Sequence, residues 1–187
     1  MNDTQAIQRL KKGDISGMDW LVVRYQAKAI RTAYLIIHDD SLAEDAVQET
    51  FLRIYQRIRF FDETRPFEPY LLRSVVHTAL NIAEKTCKEI PLSEEIEPAT
   101  VEWLISKSVS TEDQVEYIQL KQEIFAALEK LHPRERAVII ERYYLEMSEK
   151  EMAAAHEIAP GTVKWLLNAA RRHLRPFIGL KNTNHED

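Results

Sequence analysis

Cysteine is almost absent from this 187-residue chain: Cys87 stands alone, which excludes an internal disulfide and a zinc cluster built on several thiolates. Its ordinary role is that of a small apolar residue in or beside a helix. Glycine is scarce as well. Four glycines and seven prolines are about half the usual combined share, so a sandwich or propeller dense in tight turns is disfavoured and helices are expected. The same scarcity leaves no glycine-rich phosphate loop. No apolar run approaches the ~18 residues that cross a bilayer. The first residues, Met1 to Thr4, lack the basic and apolar stretches of a secretion signal, which together predict a cytosolic protein without membrane insertion.

The chain is 45% hydrophobic and 29% charged, a globular composition, and its length suits one or two domains. Twenty-five bases against thirty acids give a net charge of −5, which as a single number argues against nucleic-acid binding. The distribution argues otherwise. Between Ile158 and His185 stand Lys164, Arg171, Arg172, Arg175 and Lys181 with no acid, whereas Thr86 to Leu120 carries a net −6. An acidic middle therefore precedes a basic C-terminal segment.

Hydrophobic spacing predicts four helices in the N-terminal part. A short one around Ala6 to Lys12 closes at Gly13-Asp14. Ser16 and Asp19 form a capping pair for a long helix with Val23, Ile30, Ala33, Tyr34 and Ile37 on one face. After a break at His38-Asp39-Asp40, Ser41 and Glu44 cap a third helix carrying the stripe Val47, Phe51, Ile54, Tyr55 and Ile58. Phe60 to Pro69 is expected as a loop, and Tyr70 to Lys85 as a helix with Leu71, Val75, Thr78 and Ile82 inward. Pro91, Pro98 and clustered acids between 89 and 111 read as a flexible linker with one helical turn at Val101 to Ile105. Beyond it, Ile118, Phe125, Leu128 and Leu131 mark a helix, Pro133 starts another that runs to Leu145, and Ser148 and Glu151 cap one ending at His156. The last helix runs from Pro160 to about Leu174, where Arg175-Pro176 ends it.

Two helices joined by the three-residue turn Glu157-Ile158-Ala159, the second basic and entered through Pro160-Gly161-Thr162, fit a helix-turn-helix with its second helix in a major groove. An α-hairpin with a solvated basic face has the same spacing. Asp45, Gln48 and Glu49 project together opposite the Val47 stripe, either as a docking surface or as an ordinary solvated face. Nothing supplies the desolvated cleft that paired carboxylates need for acid–base catalysis. His156-Glu157 is not a zinc-protease signature, because Pro160 stands where the second histidine would be. His38, His77, His132 and His173 lack ligand spacing, so neither metal nor cofactor is expected.

Leu42-Ala-Glu-Asp-Ala-Val-Gln-Glu-Thr-Phe-Leu-Arg-Ile-Tyr55 resembles the core of the second conserved region of bacterial sigma factors, in the small extracytoplasmic-function group, and Phe67-Glu-Pro-Tyr-Leu-Leu-Arg73 resembles its continuation. Leu128 to Tyr143, Met147 to Ala153, Gly161-Thr-Val-Lys164 and Ala170-Arg171 resemble the fourth region. The resemblance implies an all-α protein of two small helical domains: a region 2 bundle at 1–88, an acidic linker at 89–111, a region 4 helix-turn-helix at 112–180 and a tail at 181–187.

It also implies roles. Asp45, Gln48 and Glu49 match residues that grip the clamp helices of the polymerase β′ subunit, with the β subunit a further partner in core polymerase. Phe61, Phe67, Tyr70, Arg73, His77 and Asn81 match the part that reads the minus-ten promoter element, where aromatic stacking and a pocket for an extruded base are useful. Thr162, Lys164, Trp165 and Asn168 match the minus-thirty-five reader, and Arg171, Arg172 and Arg175 its phosphate contacts. Such a factor chooses promoters in response to stress or a signal, leaves chemistry to the polymerase, and is commonly held by an anti-sigma factor. His77, Asn81, Glu84 and Lys85 make the minus-ten helix less basic than the family pattern, and Ala159, Trp165 and Leu166 alter the reading helix. Glu157 replaces the usual turn glycine. A stand-alone helix-turn-helix repressor and a sigma-like decoy that occupies polymerase or an inhibitor are the rival readings.

Overall fold

The computed structural model describes residues 1–87 and 124–178, which are helical with no strand among them. The chain divides into two compact units, Met1–Thr86 and Cys87–Asp187. The expected linker at 89–111, its turn at Val101, Ile118 and the tail at 181–187 lie outside the described residues.

The first unit holds α1 (Asp3–Lys11), α2 (Ser16–Ile37), α3 (Asp40–Arg57), a 3-10 turn (Ile58–Phe60) and α4 (Phe67–Thr86). Helix α2 is the hub, packing on α1, α3 and α4. Its buried face is Leu21, Tyr25, Ala29, Ala33 and Ile36. Of the expected stripe, Ala33 is buried, Ile30, Tyr34 and Ile37 are half-buried and Val23 is 84% exposed, because α2 carries apolar residues on two faces at its start and spacing alone does not say which one finds neighbours. Gly17 lets α1 and α2 cross closely, since a Cβ there would collide with the Ala6 carbonyl oxygen and crowd Leu10.

Both expected serine caps of this unit give way to neighbouring residues. Ile15 precedes α2 with no side-chain cap, and the Ser16 N–H donates to Asp14 Oδ1 at 3.0 Å. Asp39 caps α3, its Oδ1 accepting from the Leu42 N–H at 2.8 Å; a carboxylate one turn before the first orphan amides competes well with a hydroxyl. His38 turns the chain between these helices in the left-handed region (φ 62°). Helix α4 starts at Phe67 rather than Tyr70, with Pro69 in its first turn, where its missing N–H costs nothing. Tyr55, expected on the α3 stripe, is exposed.

The second unit shows helical residues at 124–129, then α5 (Pro133–Ile139), a π turn (Ile140–Tyr144), α6 (Glu149–His156) and α7 (Pro160–Ile178). Its core gathers Leu128, Leu131, Val138, Met152, Val163, Leu167, Ala170 and Leu174. The Arg136 guanidinium is buried and donates to the carbonyls of Leu128 (2.9 Å) and Leu131 (3.0 Å), closing the end of the preceding helix. Helix α7 outruns its expected stop. Pro176 lies inside its last turn, where a lost N–H breaks little of the remaining ladder, and the helix closes at Ile178.

Candidate nucleic-acid and polymerase interfaces

On α3, Asp45, Gln48 and Glu49 are exposed along one edge, while Ala43, Ala46, Val47, Thr50 and Phe51 turn inward. The edge continues into Leu52, an exposed apolar side chain. Glu49 forms an ion pair with Arg53 one turn on, so one of the two acids is partnered in the free chain. A surface pair of this kind contributes about 0.3–0.5 kcal/mol and is readily exchanged for another cation.

At the far end of α3 the chain leaves the helix through the 3-10 turn and returns into α4. Between them lies a surface pocket of about 490 Å³ lined by Arg57, Phe60, Phe61, Asp62, Arg65, Tyr70 and Arg73. Phe60 stands 88% exposed at its rim. The wall is an aromatic cluster, with Phe61 centred 4.9 Å from Tyr70 and 5.8 Å from Phe67. Phe67 itself is buried against Tyr25 at 5.8 Å, so it supports the wall from within the core. The loop is fixed by α1: Lys11 Nζ donates to the Phe61 carbonyl at 2.7 Å and pairs with Glu63 at 2.8 Å. Asp62 Oδ1 accepts from the Thr64 hydroxyl (2.7 Å) and N–H (3.0 Å). These bonds, the hydroxyl's first, hold its carboxyl below the usual aspartate range.

Arginines thus dominate the polar lining, and two of them, Arg57 and Arg65, went unassigned in the sequence. Their signal was the pairing of bases with Phe60-Phe61 in a loop that also holds Pro66. His77 and Asn81 are exposed one turn apart on α4, Asn81 Nδ2 lying 3.3 Å from His77 Nδ1.

In the second unit, the Ser148 Oγ accepts from the Glu151 N–H at 3.3 Å and the Glu151 carboxylate accepts from the Ser148 N–H at 2.9 Å, the expected capping box of α6. Helix α6 ends where Glu157 takes the left-handed conformation (φ 55°, ψ 37°) and donates its N–H to the Ala153 carbonyl. The chain then enters α7. Val163, Leu167, Ala170 and Leu174 are buried, and Thr162, Lys164, Trp165 and Asn168 are exposed. Trp165, two residues from either inward neighbour, points outward and is 54% exposed. Farther along, Arg175 is exposed, and Arg171 and Arg172 are half-buried.

Behind this surface lie two acids that sequence reasoning missed. Glu141, in the π turn, is 1% exposed and bonds the His156 ring at 2.7 Å, while Glu135 bonds the His173 ring at 3.0 Å. The Glu141 bond raises the His156 pKa above the ordinary histidine value, against the opposing effect of burial. Partners 15 and 38 residues apart follow no local spacing rule. Among the described residues no group of three or more His, Cys, Asp or Glu could hold a metal ion, and no helix is long and apolar enough to cross a membrane.

The family model described as Sigma-70 region 2 matches residues 21–86, and that described as Sigma-70, region 4 matches residues 121–174. The ECF RNA polymerase sigma factor SigW of Bacillus subtilis (strain 168) is 30% identical over 173 residues, covering 90% of this chain and 92% of the relative. The chain belongs to the extracytoplasmic-function (ECF) RNA polymerase sigma factors. The ECF RNA polymerase sigma-E factor of Escherichia coli (strain K12) is 27% identical to this sigma factor over 175 residues, 91% of each chain. Among solved structures, CnrH in complex with the cytosolic domain of CnrY aligns with TM-score 0.61 at 20% identity, covering 93% of this chain and 95% of the other. The sigma factor RpoE of Bartonella quintana, in complex with the anti-sigma factor NepR, aligns with TM-score 0.57 at 18% identity, covering 87% and 97%. The two-domain, all-helical sigma fold is thereby shown, and the pocket and acidic edge fall within the region 2 match while the helix-turn-helix falls within region 4.

Proposed function

We propose that this sigma factor docks on the β′ clamp helices of core RNA polymerase through Asp45, Gln48 and Glu49, reads the minus-ten element at the loop before α4, and reads the minus-thirty-five element with α7. In this reading residues 1–88 are the polymerase- and minus-ten-binding domain, 89–111 an acidic linker, 112–180 the minus-thirty-five domain and 181–187 a tail. The observation that carries it is the pocket under Phe60. An exposed aromatic rim offers a stacking face to an unpaired base, and Arg57, Arg65 and Arg73 offer charge to the strand that bears it. Such a site suits a base already out of the duplex. On α7, Thr162, Lys164, Trp165 and Asn168 supply the groove-facing surface, and Arg171, Arg172 and Arg175 the phosphate contacts.

Bond making stays with the polymerase, and the chain works in the cytosol where the polymerase does. Its net charge of −5 keeps its own DNA affinity low, so specificity is expressed in the holoenzyme. An anti-sigma factor is a further partner in this proposal, supported by the complexes in which the CnrH and RpoE relatives were solved.

The test is open-complex formation by holoenzyme reconstituted with Phe60→Ala. Closed-complex binding is expected to persist while promoter melting, read by permanganate reactivity of unpaired thymines, falls at least tenfold. Melting at the wild-type level would refute the pocket's role.

A further inference from the structure

Arg171 was expected to meet phosphate, yet in the free chain its guanidinium is already held. Nε donates to the Tyr143 hydroxyl at 3.0 Å and Nη2 to the same oxygen at 2.7 Å. The guanidinium carbon lies 5.8 Å from the centre of the Tyr143 ring. Nη1 lies 3.5 Å from Asn168 Oδ1, at the limit of a hydrogen bond. Tyr143 is not on α7; it belongs to the π turn Ile140–Tyr144 that follows α5.

The donor inventory decides what this arrangement leaves over. A guanidinium has five N–H groups in a rigid plane. Tyr143 engages the Nε–Nη2 edge, so the Nη1–Nη2 end of the fork carries no more than the long 3.5 Å contact from Nη1 to Asn168 Oδ1. Two parallel donors of that kind match two oxygens of a phosphate. A long arginine loses rotamer freedom when it grips a ligand, and one already fixed has less left to lose.

We propose that Tyr143 is a positioning residue for promoter binding: its hydroxyl holds the Arg171 guanidinium by one edge so that the other end is presented to a promoter phosphate. The π turn matters because it sets where this tyrosine stands relative to α7. The inference rests on the reading of α7 as the minus-thirty-five helix. Tyr143 itself need touch no base, so it contributes affinity without sequence preference.

The experiment measures promoter binding by holoenzyme made with the full chain, across a range of salt concentrations, for Tyr143→Phe, Arg171→Ala, Arg171→Lys and the Tyr143→Phe/Arg171→Ala pair. Tyr143→Phe keeps the ring and removes only the hydroxyl. It is expected to weaken binding roughly three- to tenfold, equally on promoters of different minus-thirty-five sequence, the range one hydrogen-bonded contact supplies. Arg171→Ala is expected to lower the salt slope by about one. The double variant should bind like Arg171→Ala alone, because the hydroxyl acts only through the arginine. Arg171→Lys, which keeps the charge but not the fork, should fail to restore wild-type affinity. If Tyr143→Phe binds like wild type, or its effect adds fully to that of Arg171→Ala, the positioning role is overturned while the reading of α7 stands. If Arg171→Ala leaves both affinity and salt slope unchanged, the phosphate assignment of Arg171 fails, and the proposal with it.

Discussion

Replacing His156 by Ala probes the least sequence-visible feature of the second unit. Glu141 is 1% exposed, and its Oε2 lies 2.7 Å from His156 Nε2. Removing the imidazole leaves a buried carboxylate without that partner, a defect that costs about 3–5 kcal/mol when the charge stays and less when the group takes up a proton instead. We therefore expect His156→Ala to lower the stability of the second unit by about 3 kcal/mol at neutral pH. Replacing both residues together, Glu141→Leu with His156→Leu, removes the charge and fills the space, and should fall within about 1 kcal/mol of wild type or above it. Hydrogen exchange read by mass spectrometry over residues 133–178 of the full chain isolates this unit from the first. The pair also fixes a pH dependence. His156 has its pKa raised in the folded state by Glu141, so its contribution is complete below the unfolded histidine value of about 6.5 and declines as pH rises through the higher folded value. Protection should fall with rising pH in wild type and fall less steeply in the double-leucine variant, which still has the Glu135–His173 pair. A single variant as stable as wild type, or a double variant as unstable as the single, would refute the reasoning.

The remaining predictions concern α7 and the turn before it. Trp165→Ser should leave the melting temperature within a few degrees, since the indole is half-exposed, but change the preferred minus-thirty-five sequence by about 1–3 kcal/mol at one or two base pairs, read by selection from a randomised promoter pool; a marked drop in melting temperature would make Trp165 a packing residue. Glu157→Gly should stabilise the second unit by about 0.5–1 kcal/mol, because Glu157 sits at φ 55° where a side chain is strained, and unchanged or lower exchange protection would contradict that.

The acidic edge of α3 and the outward Trp165 were legible because each depends only on helical angle: residues three and four apart share a face, and residues two apart do not. The α6 cap was legible for a similar reason, Ser148 and Glu151 being the one capping pair at that boundary. Boundaries failed where candidates crowded. Asp39 and Ser41 stand two residues apart at the start of α3, and only the folded backbone decides whose oxygen reaches the amides. The inward placing of Val23 on α2 failed for a different cause, since Val23 and Leu21 are both apolar and only the packing of α1, α3 and α4 chooses between their faces. Arg171 shows the limit for function. Its charge was readable, but its bond to Tyr143, 28 residues away, depends on a π turn for which the sequence carries no spacing rule. The pocket under Phe60 was legible as a loop with aromatics and bases, not as a volume.

The most direct test of the central claim is run-off transcription with core polymerase, a pool of promoter fragments, and either the wild-type chain or Asp45→Arg/Glu49→Arg. Both acids are exposed on α3, and Glu49 holds only a weak surface pair with Arg53, which the proposed docking would exchange for a partner on the polymerase. The account predicts discrete transcripts from a subset of promoters with the wild-type chain, and loss of both core binding and transcripts with the charge-reversed chain at unchanged helicity. Wild-type chain that binds core and yields no transcript would make this protein a decoy. Transcripts undiminished by the charge reversal would contradict the docking surface.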